Sequence, residues 1–316
     1  MKTKIALYKK IIQENSLRRI PFFHSSHLET YTYDLKQEFA NYTRELTKKP
    51  CRSKALVLDG LKKAAYGDYP GAVNRYTNAI RINPGLVDAW FYRAGAHSRM
   101  ENITELNHDY AKAICLDPDN PKIKFNRGVC HASYWEFHLA LSDYNDVIAK
   151  NPSIAEFYSY RGWTKSMLDD HLGALKDYNR ASVLNPMVRI FHSGRGFARL
   201  ATGDFKGAIE DLDIEITNHS QKFENFFSRG ISRMAIGDYQ GAIDDFNQAL
   251  LKGSWIHETY TQKGFALFHL NEFESALSEF QLSLRKSNKN PMACFGKGMT
   301  KLALGDKCMH PACHIL

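Results

Sequence analysis

Residues 223–256 read FENFFSRGISRMAIGDYQGAIDDFNQALLKGSWI, and this pattern recurs every 34 residues along most of the chain. We number the positions of each unit from 1 to 34, starting at Ser53. A small residue occupies position 8 of eight successive units: Gly60, Ala94, Gly128, Gly162, Gly196, Gly230, Gly264 and Gly298. Most units also carry alanine at position 20 and an aromatic residue at position 24, and the first four carry proline at position 32. Four columns that stay in register without insertion or deletion identify an internal repeat.

Each column has a physical role in a pair of packed helices. Glycine and alanine allow two helix backbones to approach closely, and the aromatic residue four positions after the alanine fills the space between them. Between the helices lies Gly-Asp-Tyr or Gly-Asp-Phe, as in residues 67–69, 203–205 and 237–239. Glycine can end the first helix in the left-handed conformation, and aspartate can cap the second helix. The sequence therefore predicts a helix, a tight turn and a second helix in every unit.

This repeat closely resembles that of the tetratricopeptide repeat (TPR) family in its period, its glycine, its Gly-Asp-Tyr turn, its aromatic residue and its proline. The resemblance covers residues 53–304. It implies an all-α fold, a right-handed superhelix (α-solenoid) of antiparallel helix pairs. It also implies a non-catalytic scaffold or adaptor that binds partner proteins on its concave face. Seven complete repeats are expected over residues 53–290.

The two ends of the array depart from the pattern. Residues 1–18 are predicted to form a basic amphipathic helix, either a cap or a targeting or membrane-surface segment, and residues 19–52 a degenerate capping unit. Residues 291–316 begin an eighth repeat, but Pro311 would break its second helix, so we expect a truncated repeat with an irregular tail. The chain would then be a shortened isoform or a fragment, and self-association through an uncovered apolar helix face stays open.

The composition is that of a soluble globular chain, with 44% hydrophobic and 24% charged residues among 316. Of the formal net charge of +8, residues 1–54 contribute +7, from 12 Lys and Arg against 5 Asp and Glu. The rest carries 30 basic and 29 acidic residues, so it lacks a uniform basic surface, and no nucleic acid is expected as a partner. We find no apolar run long enough to span a membrane and no secretory signal. Six scattered cysteines suit a reduced, cytoplasmic protein.

Two columns carry opposite charges. Position 7, on the first helix, is basic and position 23, on the second, is acidic in repeats two to seven, whereas repeat one has the signs swapped. The pairs are Asp59–Arg75, Arg93–Asp109, Arg127–Asp143, Arg161–Asp177, Arg195–Asp211, Arg229–Asp245 and Lys263–Glu279. Because a swap is hard to explain unless the two positions touch, we predict a structural ion pair that joins the two helices of each repeat.

The first helices carry an apolar face at positions 5 and 9. The resemblance implies that first helices line the concave side and contact partners there. The residues of this candidate groove are Phe91, Phe125, Val129, Trp163, Phe197, Phe227, Ile231 and Phe265. Two interpretations stay open: the side chains pack on the neighbouring repeat, or they form the floor of a groove for an extended or helical segment of another protein.

The same columns argue against two other partner classes. A TPR subgroup that binds the acidic C-terminal tails of chaperones needs Lys and Asn at positions 5 and 9, where this chain has Val57 and Leu61, then Phe91 and Gly95. Chaperone tails are therefore not expected. Related helical repeats bind single RNA bases through polar side chains at fixed positions, and the apolar residues at positions 5 and 9 of this chain argue against that mode of binding. A helical-repeat RNA-binding protein and a regulatory array of a larger protein are kept as alternatives to the scaffold.

No catalytic or cofactor-binding arrangement emerges from the sequence. The Gly-x-Gly motifs at 194–196 and 296–298 follow no strand, so neither is a dinucleotide or phosphate site. Four donors suited to zinc lie near the C-terminus: Cys308, His310, Cys313 and His314. They have no second ligand pair and fit no common structural zinc site. We expect no enzyme activity, no cofactor and no metal.

Overall fold

The computed structural model describes residues 43–44, 51–186, 190–218, 222–253 and 256–305. The chain divides into an N-terminal unit that ends at Leu168 and a C-terminal unit that begins at Asp169. The helices of the N-terminal unit are α1 (Arg52–Ala65), α2 (Tyr69–Ile82), α3 (Val87–Arg99), α4 (Ile103–Leu116), α5 (Pro121–Ser133), α6 (Phe137–Lys150) and α7 (Ala155–Met167). Those of the C-terminal unit are α8 (His171–Leu184), α9 (Ile190–Thr202), α10 (Phe205–Asn218), α11 (Phe223–Ile236), α12 (Tyr239–Lys252), α13 (Ile256–His269), α14 (Phe273–Lys286) and α15 (Pro291–Ala303).

Within each unit, helices that follow one another in the chain pack side by side. The pairs α1–α2, α3–α4 and α5–α6 do so in the N-terminal unit, and α9–α10, α11–α12 and α13–α14 in the C-terminal unit. Each second helix also packs on the first helix of the next repeat in its unit. The described ranges contain helices and turns and no strand. The predicted fold class, an all-α array of antiparallel helix pairs, is confirmed.

The turn inside a repeat follows the Gly-Asp-Tyr sequence. The Asp68 carboxylate accepts a hydrogen bond from the Gly71 backbone N–H at 2.9 Å, which caps the second helix. Three further aspartates make the same bond: Asp170, Asp204 and Asp238. Position 15 has a positive φ in eight repeats, at Gly67, Glu101, Trp135, Asp169, Gly203, Gly237, Asn271 and Gly305. Four repeats therefore keep the left-handed turn without glycine, at a cost on the order of 1 kcal/mol each.

The core repeats a contact between positions 8 and 24. The position-24 side chains are fully buried: Tyr76, Tyr110, Tyr144, Tyr178, Leu212, Phe246 and Phe280. A Cβ on Gly230 would lie 2.7 Å from Phe246 Cε1, and one on Gly264 would lie 2.8 Å from Phe280 Cε1. Because packed carbon atoms do not approach so closely, glycine is what lets the two helices meet in these repeats.

Some expectations fall on residues outside the described ranges. These are the helix over residues 1–18, nearly all of the capping unit over residues 19–52, and the tail from residue 306 onward, which includes the four candidate zinc donors. Helix α15, the first helix of the eighth repeat, is described in full. In the described part of the chain, no helix combines the length and apolar character needed to cross a bilayer.

Candidate functional site

The two charged columns meet in the N-terminal unit. In repeat two, Arg93 Nε donates to Asp109 Oδ2 and Arg93 Nη2 donates to Asp109 Oδ1, both at 2.7 Å. The swapped pair of repeat one is made as well, with Arg75 Nε 2.7 Å from Asp59 Oδ2. Repeat three has the equivalent bridge, Arg127–Asp143.

The C-terminal unit has the same bridges in repeats five to seven. They join Arg195 to Asp211, Arg229 to Asp245 and Lys263 to Glu279. The Lys263 Nζ to Glu279 Oε1 distance is 2.7 Å. The pair of repeat four is divided between the units, with Arg161 in one and Asp177 in the other. That pair stays a prediction.

The swapped pair, Asp59–Arg75, is more exposed than the other ion pairs. The carboxylates of Asp109, Asp143, Asp211 and Asp245 are buried, whereas the Asp59 side chain is 44% exposed. An exposed ion pair contributes roughly 0–1 kcal/mol. A buried carboxylate that loses its partner costs about 3 kcal/mol or more. The buried bridges therefore fix which helix faces meet, and their role is structural.

The arginine column also joins consecutive repeats. Arg229 Nη1 donates to Asp213 Oδ1 of the preceding repeat at 2.6 Å, while Arg229 Nε donates to Asp245 Oδ2 at 3.0 Å. Arg93 Nη1 donates in the same way to Thr77 Oγ1 at 3.0 Å. Each of these arginines therefore links three successive helices: its own, the one before it and the one after it.

Asp211 is surrounded by three basic side chains. Arg195 Nε donates to its carboxylate at 2.8 Å, Arg199 Nη1 lies 3.0 Å from Oδ2, and His192 Nδ1 lies 3.7 Å from Oδ1. Burial alone would raise the pKa of Asp211, but contacts with His192 and Arg195 and the nearby positive charges lower that pKa below its ordinary value of 3.8. The carboxylate is therefore held in its ionised form.

In the N-terminal unit, the candidate-groove residues are largely engaged in packing. Phe91 and Trp163 are buried, and Phe125 and Val129 are half-buried. The Phe125 ring centroid lies 5.7 Å from that of Tyr144 in its own repeat. It also lies 4.9 Å from the ring centroids of two residues in the next repeat, Phe157 and Tyr160. Packing between repeats therefore accounts for a large share of this apolar face.

The C-terminal unit shows the same division. Ile231 is buried, whereas Phe197, Phe227 and Phe265 are half-buried. Two of these phenylalanines contact the position-24 ring of their own repeat. Phe227–Phe246 ring centroids lie 5.8 Å apart, and Phe265–Phe280 ring centroids lie 5.0 Å apart. What is available to a partner is the outer part of the half-buried rings.

Position 11 forms a second set of polar pairs, with the capping residue at position 16. Lys63 Nζ lies 2.9 Å from Asp68 Oδ2, and His131 Nδ1 lies 2.6 Å from Glu136 Oε2. Arginine makes longer contacts of the same kind in repeats five and six: Arg199–Asp204 at 3.4 Å and Arg233–Asp238 at 3.6 Å. Sequence reasoning missed these pairs, although a basic residue five positions before an acidic one is visible in the repeat.

Among the residues that the structure describes, no group of three His, Cys, Asp or Glu side chains is arranged to hold a metal ion. Cys51, Cys115, Cys130 and Cys294 are free thiols. Burial raises the pKa of Cys130, which keeps that thiol protonated and poorly nucleophilic.

No family model matches the chain. Among curated proteins, the chain is similar to the protein SGT1 homolog of Oryza sativa subsp. japonica, with 34% identity over 85 residues, which cover 26% of this chain and 23% of that protein. It is also 34% identical over 67 residues to small glutamine-rich tetratricopeptide repeat-containing protein 2 of Saccharomyces cerevisiae, covering 21% of this chain and 19% of that protein. The matched segments thus span about a fifth of these relatives.

Solved structures share the fold over more of the chain. A tetratricopeptide repeat protein from Parabacteroides merdae matches 79% of this chain and 98% of its own, with a TM-score of 0.56 and 17% identity. The APC/C hetero-tetramer Cut9–Hcn1 matches 84% of this chain and 52% of its own, with a TM-score of 0.61 and 17% identity. YrrB, a TPR protein with an unusual peptide-binding site, matches 60% and 97%, with a TM-score of 0.55 and 16% identity. The 34-residue repeat and these matches together show that the chain has the fold of tetratricopeptide repeat proteins.

Proposed function

We propose that the chain is a non-catalytic interaction scaffold whose first-helix faces hold an extended or helical segment of a partner protein. The observation that carries this proposal is the partial exposure of apolar side chains at positions 5 and 9. Five of them are half-buried although the helices that carry them are packed on other sides: Phe125, Val129, Phe197, Phe227 and Phe265. Apolar surface that an assembled array leaves in contact with water favours burial against another molecule.

The buried and half-buried residues have different parts in this proposal. Phe91, Trp163 and Ile231 are buried inside the array, so they support the face from below. The half-buried rings supply the contact area for the partner. Within the C-terminal unit, Phe197, Phe227 and Phe265 lie on the successive first helices α9, α11 and α13, and this spacing suits a chain segment that presents apolar side chains at regular intervals.

Similarity to a peptide-binding protein supports the same type of function. YrrB, whose fold matches 60% of this chain, has a peptide-binding site. We extend peptide binding to this chain as a proposal, with the partner recognised by apolar contact in place of the polar clamp that chaperone tails require.

Two matched valine substitutions test the proposal. Val129 is half-buried on the first helix α5, whereas Val183 is 75% exposed on the second helix α8. Threonine has nearly the shape of valine, with a hydroxyl group in place of one methyl group, so Val129→Thr makes the face more polar with little change in volume. Partners recovered with the wild-type chain are measured by quantitative mass spectrometry alongside both variants. Thermal melting of each variant is recorded in parallel.

We expect Val129→Thr to reduce the recovery of specific partners by about tenfold, which corresponds to roughly 1.4 kcal/mol, with little change in melting temperature. Val183→Thr should recover the same partners as the wild type. A large drop in melting temperature with unchanged relative recovery would assign Val129 to packing and contradict the proposal.

A further inference from the structure

Helix α15 is packed as the first helix of a repeat on one side. Ala293 and Thr300 are fully buried, and Ala293 belongs to the same apolar cluster as Ala276 and Phe280 of repeat seven. Gly296 lies against the ring of Phe280, where a Cβ would clash with the ring carbons. The helix is therefore held in the position that first helices occupy elsewhere in the C-terminal unit.

The other side of α15 carries exposed apolar side chains. Phe295, at position 5, is 48% exposed, and Met299, at position 9, is 38% exposed. Leu302, one turn further on, is 64% exposed. The equivalent side chains Phe91 and Ile231 are only 5% and 3% exposed. The face of α15 that corresponds to these buried sites is open.

The open face contains a notch at Gly298. A Cβ built on Gly230 or Gly264, also at position 8, meets a phenylalanine ring of the second helix within 3 Å. A Cβ built on Gly298 meets nothing within 4 Å. Among the residues that the structure describes, none occupies the socket of repeat eight that corresponds to the one holding the position-24 ring in repeats six and seven.

The positive charge of α15 and the residues just before it favours an acidic ligand. Lys297 lies at position 7, where Lys263 pairs with Glu279 one repeat earlier. Lys297 forms no ion pair within the described ranges. Residues 281–305 contain five Lys and Arg and no Asp or Glu. A helix that covers α15 would therefore be favoured by a carboxylate next to its aromatic residue.

The residues that follow α15 in this chain do not match that requirement. Position 20 is His310 in place of alanine, position 23 is Cys313 in place of an acid, and position 24 is His314 in place of Tyr or Phe. Pro311 adds a residue that a helix interior does not tolerate. The socket suits a side chain that this part of the chain lacks.

We propose that α15 docks a helix of a partner protein that carries the pattern Ala-x-x-(Asp/Glu)-(Tyr/Phe)-x-x-Ala and thereby completes the eighth repeat. The aromatic ring fills the notch at Gly298, and the carboxylate one residue earlier pairs with Lys297. The two alanines allow the helix backbones to approach closely. The residues of this surface differ from those of the proposed groove, so either proposal can fail without the other.

A peptide from the chain's own α12 supplies a probe with this pattern. Residues 238–253, DYQGAIDDFNQALLKG, include Ala242, Asp245, Phe246 and Ala249 in the required register. An isolated helix of this length is marginal in water. A lactam bridge between position 240, changed to Lys, and Asp244 holds the peptide helical, because both positions are exposed in α12. Circular dichroism checks its helicity, and fluorescence anisotropy measures its binding to the full chain.

We expect saturable binding to the wild-type chain and at least about tenfold weaker binding to Gly298→Leu, whose side chain fills the notch. This variant should melt at or slightly above the wild-type temperature, since a Cβ at Gly298 contacts nothing and leucine is a better helix former than glycine. Lys297→Glu should weaken binding about tenfold or more. A peptide with Asp245→Lys should restore binding to Lys297→Glu. Lys289→Glu, an exposed charge change next to α15, serves as the matched control and should bind the original peptide as the wild type does.

Three results would overturn the proposal. The first is no saturable binding of the helical peptide to the wild type. The second is equal binding to the wild type and Gly298→Leu, or no rescue by the reversed peptide, since either result places the contact elsewhere. The third is a wild-type dimer in sedimentation velocity that Gly298→Leu converts to monomer, because a second copy would then be the occupant of this face.

Discussion

Arg93 and Asp109 lie sixteen residues apart, on the two helices of one repeat, and are joined by two hydrogen bonds of 2.7 Å. The carboxylate is buried, and the arginine also reaches Thr77 on the helix before it. Breaking a buried bridge of this kind is costly, because either charge left alone in the interface would be strongly unfavourable.

Removal of the arginine should therefore be costly. We expect Arg93→Met to lower the free energy of unfolding by about 3 kcal/mol, because the buried Asp109 carboxylate loses its arginine and keeps only the contact with His108 at 3.2 Å and the more distant His97. Arg75→Met, which breaks the exposed pair with Asp59, should cost at most about 1 kcal/mol. Urea unfolding of both variants measures the difference. Equal losses would show that burial does not set the strength of these bridges.

Glycine at position 8 should matter only where a side chain of the second helix lies against it. Gly264→Ala places a Cβ 2.8 Å from Phe280 Cε1, and we expect a loss of about 1–3 kcal/mol from overpacking. Gly298→Ala meets open space and improves helix propensity, so it should stabilise the chain by up to about 1 kcal/mol. Thermal melting of the two variants should shift in opposite directions. A destabilised Gly298→Ala would contradict the open notch on α15.

The left-handed turns offer a gain in stability. Glu101 has φ +59°, a conformation that glycine adopts without steric cost. We expect Glu101→Gly to stabilise the chain by up to about 1 kcal/mol. Lys112→Gly, in the middle of α4, is the contrasting substitution and should destabilise by about 1 kcal/mol. Chemical denaturation distinguishes them, and two losses of similar size would argue against strain at position 15.

His97 should make the N-terminal unit sensitive to mild acid. Burial lowers the pKa of His97 below 6.5, although Asp109 and Glu105 oppose this shift and Arg93 adds to it. Near pH 6 the unfolded chain therefore binds a proton at His97 that the folded chain does not bind. The contribution of neutral His97 to the free energy of unfolding is present above pH 6.5 and is lost as the pH falls below that value.

The expected loss between pH 7.5 and pH 5.5 is at most about 1.4 kcal/mol per pH unit for this one group. His97→Gln, which removes the titration, should lose less stability than the wild type over the same interval. Urea midpoints at the two pH values measure both losses. Identical losses would mean that His97 does not contribute to the pH dependence.

Most of the fold is encoded in short-range chemistry that the sequence displays directly. The turn at residues 67–69 and the cap from Asp68 to Gly71 follow from residue type alone. The approach of Arg93 to Asp109 could be inferred because repeat one swaps the two charges. Repetition supplied that information, since one helix pair alone would not reveal which positions touch.

Features that depend on packing between repeats were harder to predict. Trp163 lies in an apolar column that a partner could contact, but neighbouring side chains bury it. Nothing in the residue itself distinguishes these two environments. The left-handed conformation of Trp135 was also hidden, because its side chain disfavours that turn and only the repeat frame imposes it.

The ring of Phe280 lies between Gly264 of its own repeat and Gly296 of the next. Gly194 lies in the same way against the ring of Tyr178 of the preceding repeat. The other repeats carry a larger residue at this position, so the contact that recurs along the array is the one between positions 24 and 8 of a single repeat. Loss of a single residue within a helix would rotate the side chains that follow it in that helix by about 100°. The residues at positions 8 and 24 would then no longer face each other, which accounts for the constant 34-residue period of the array.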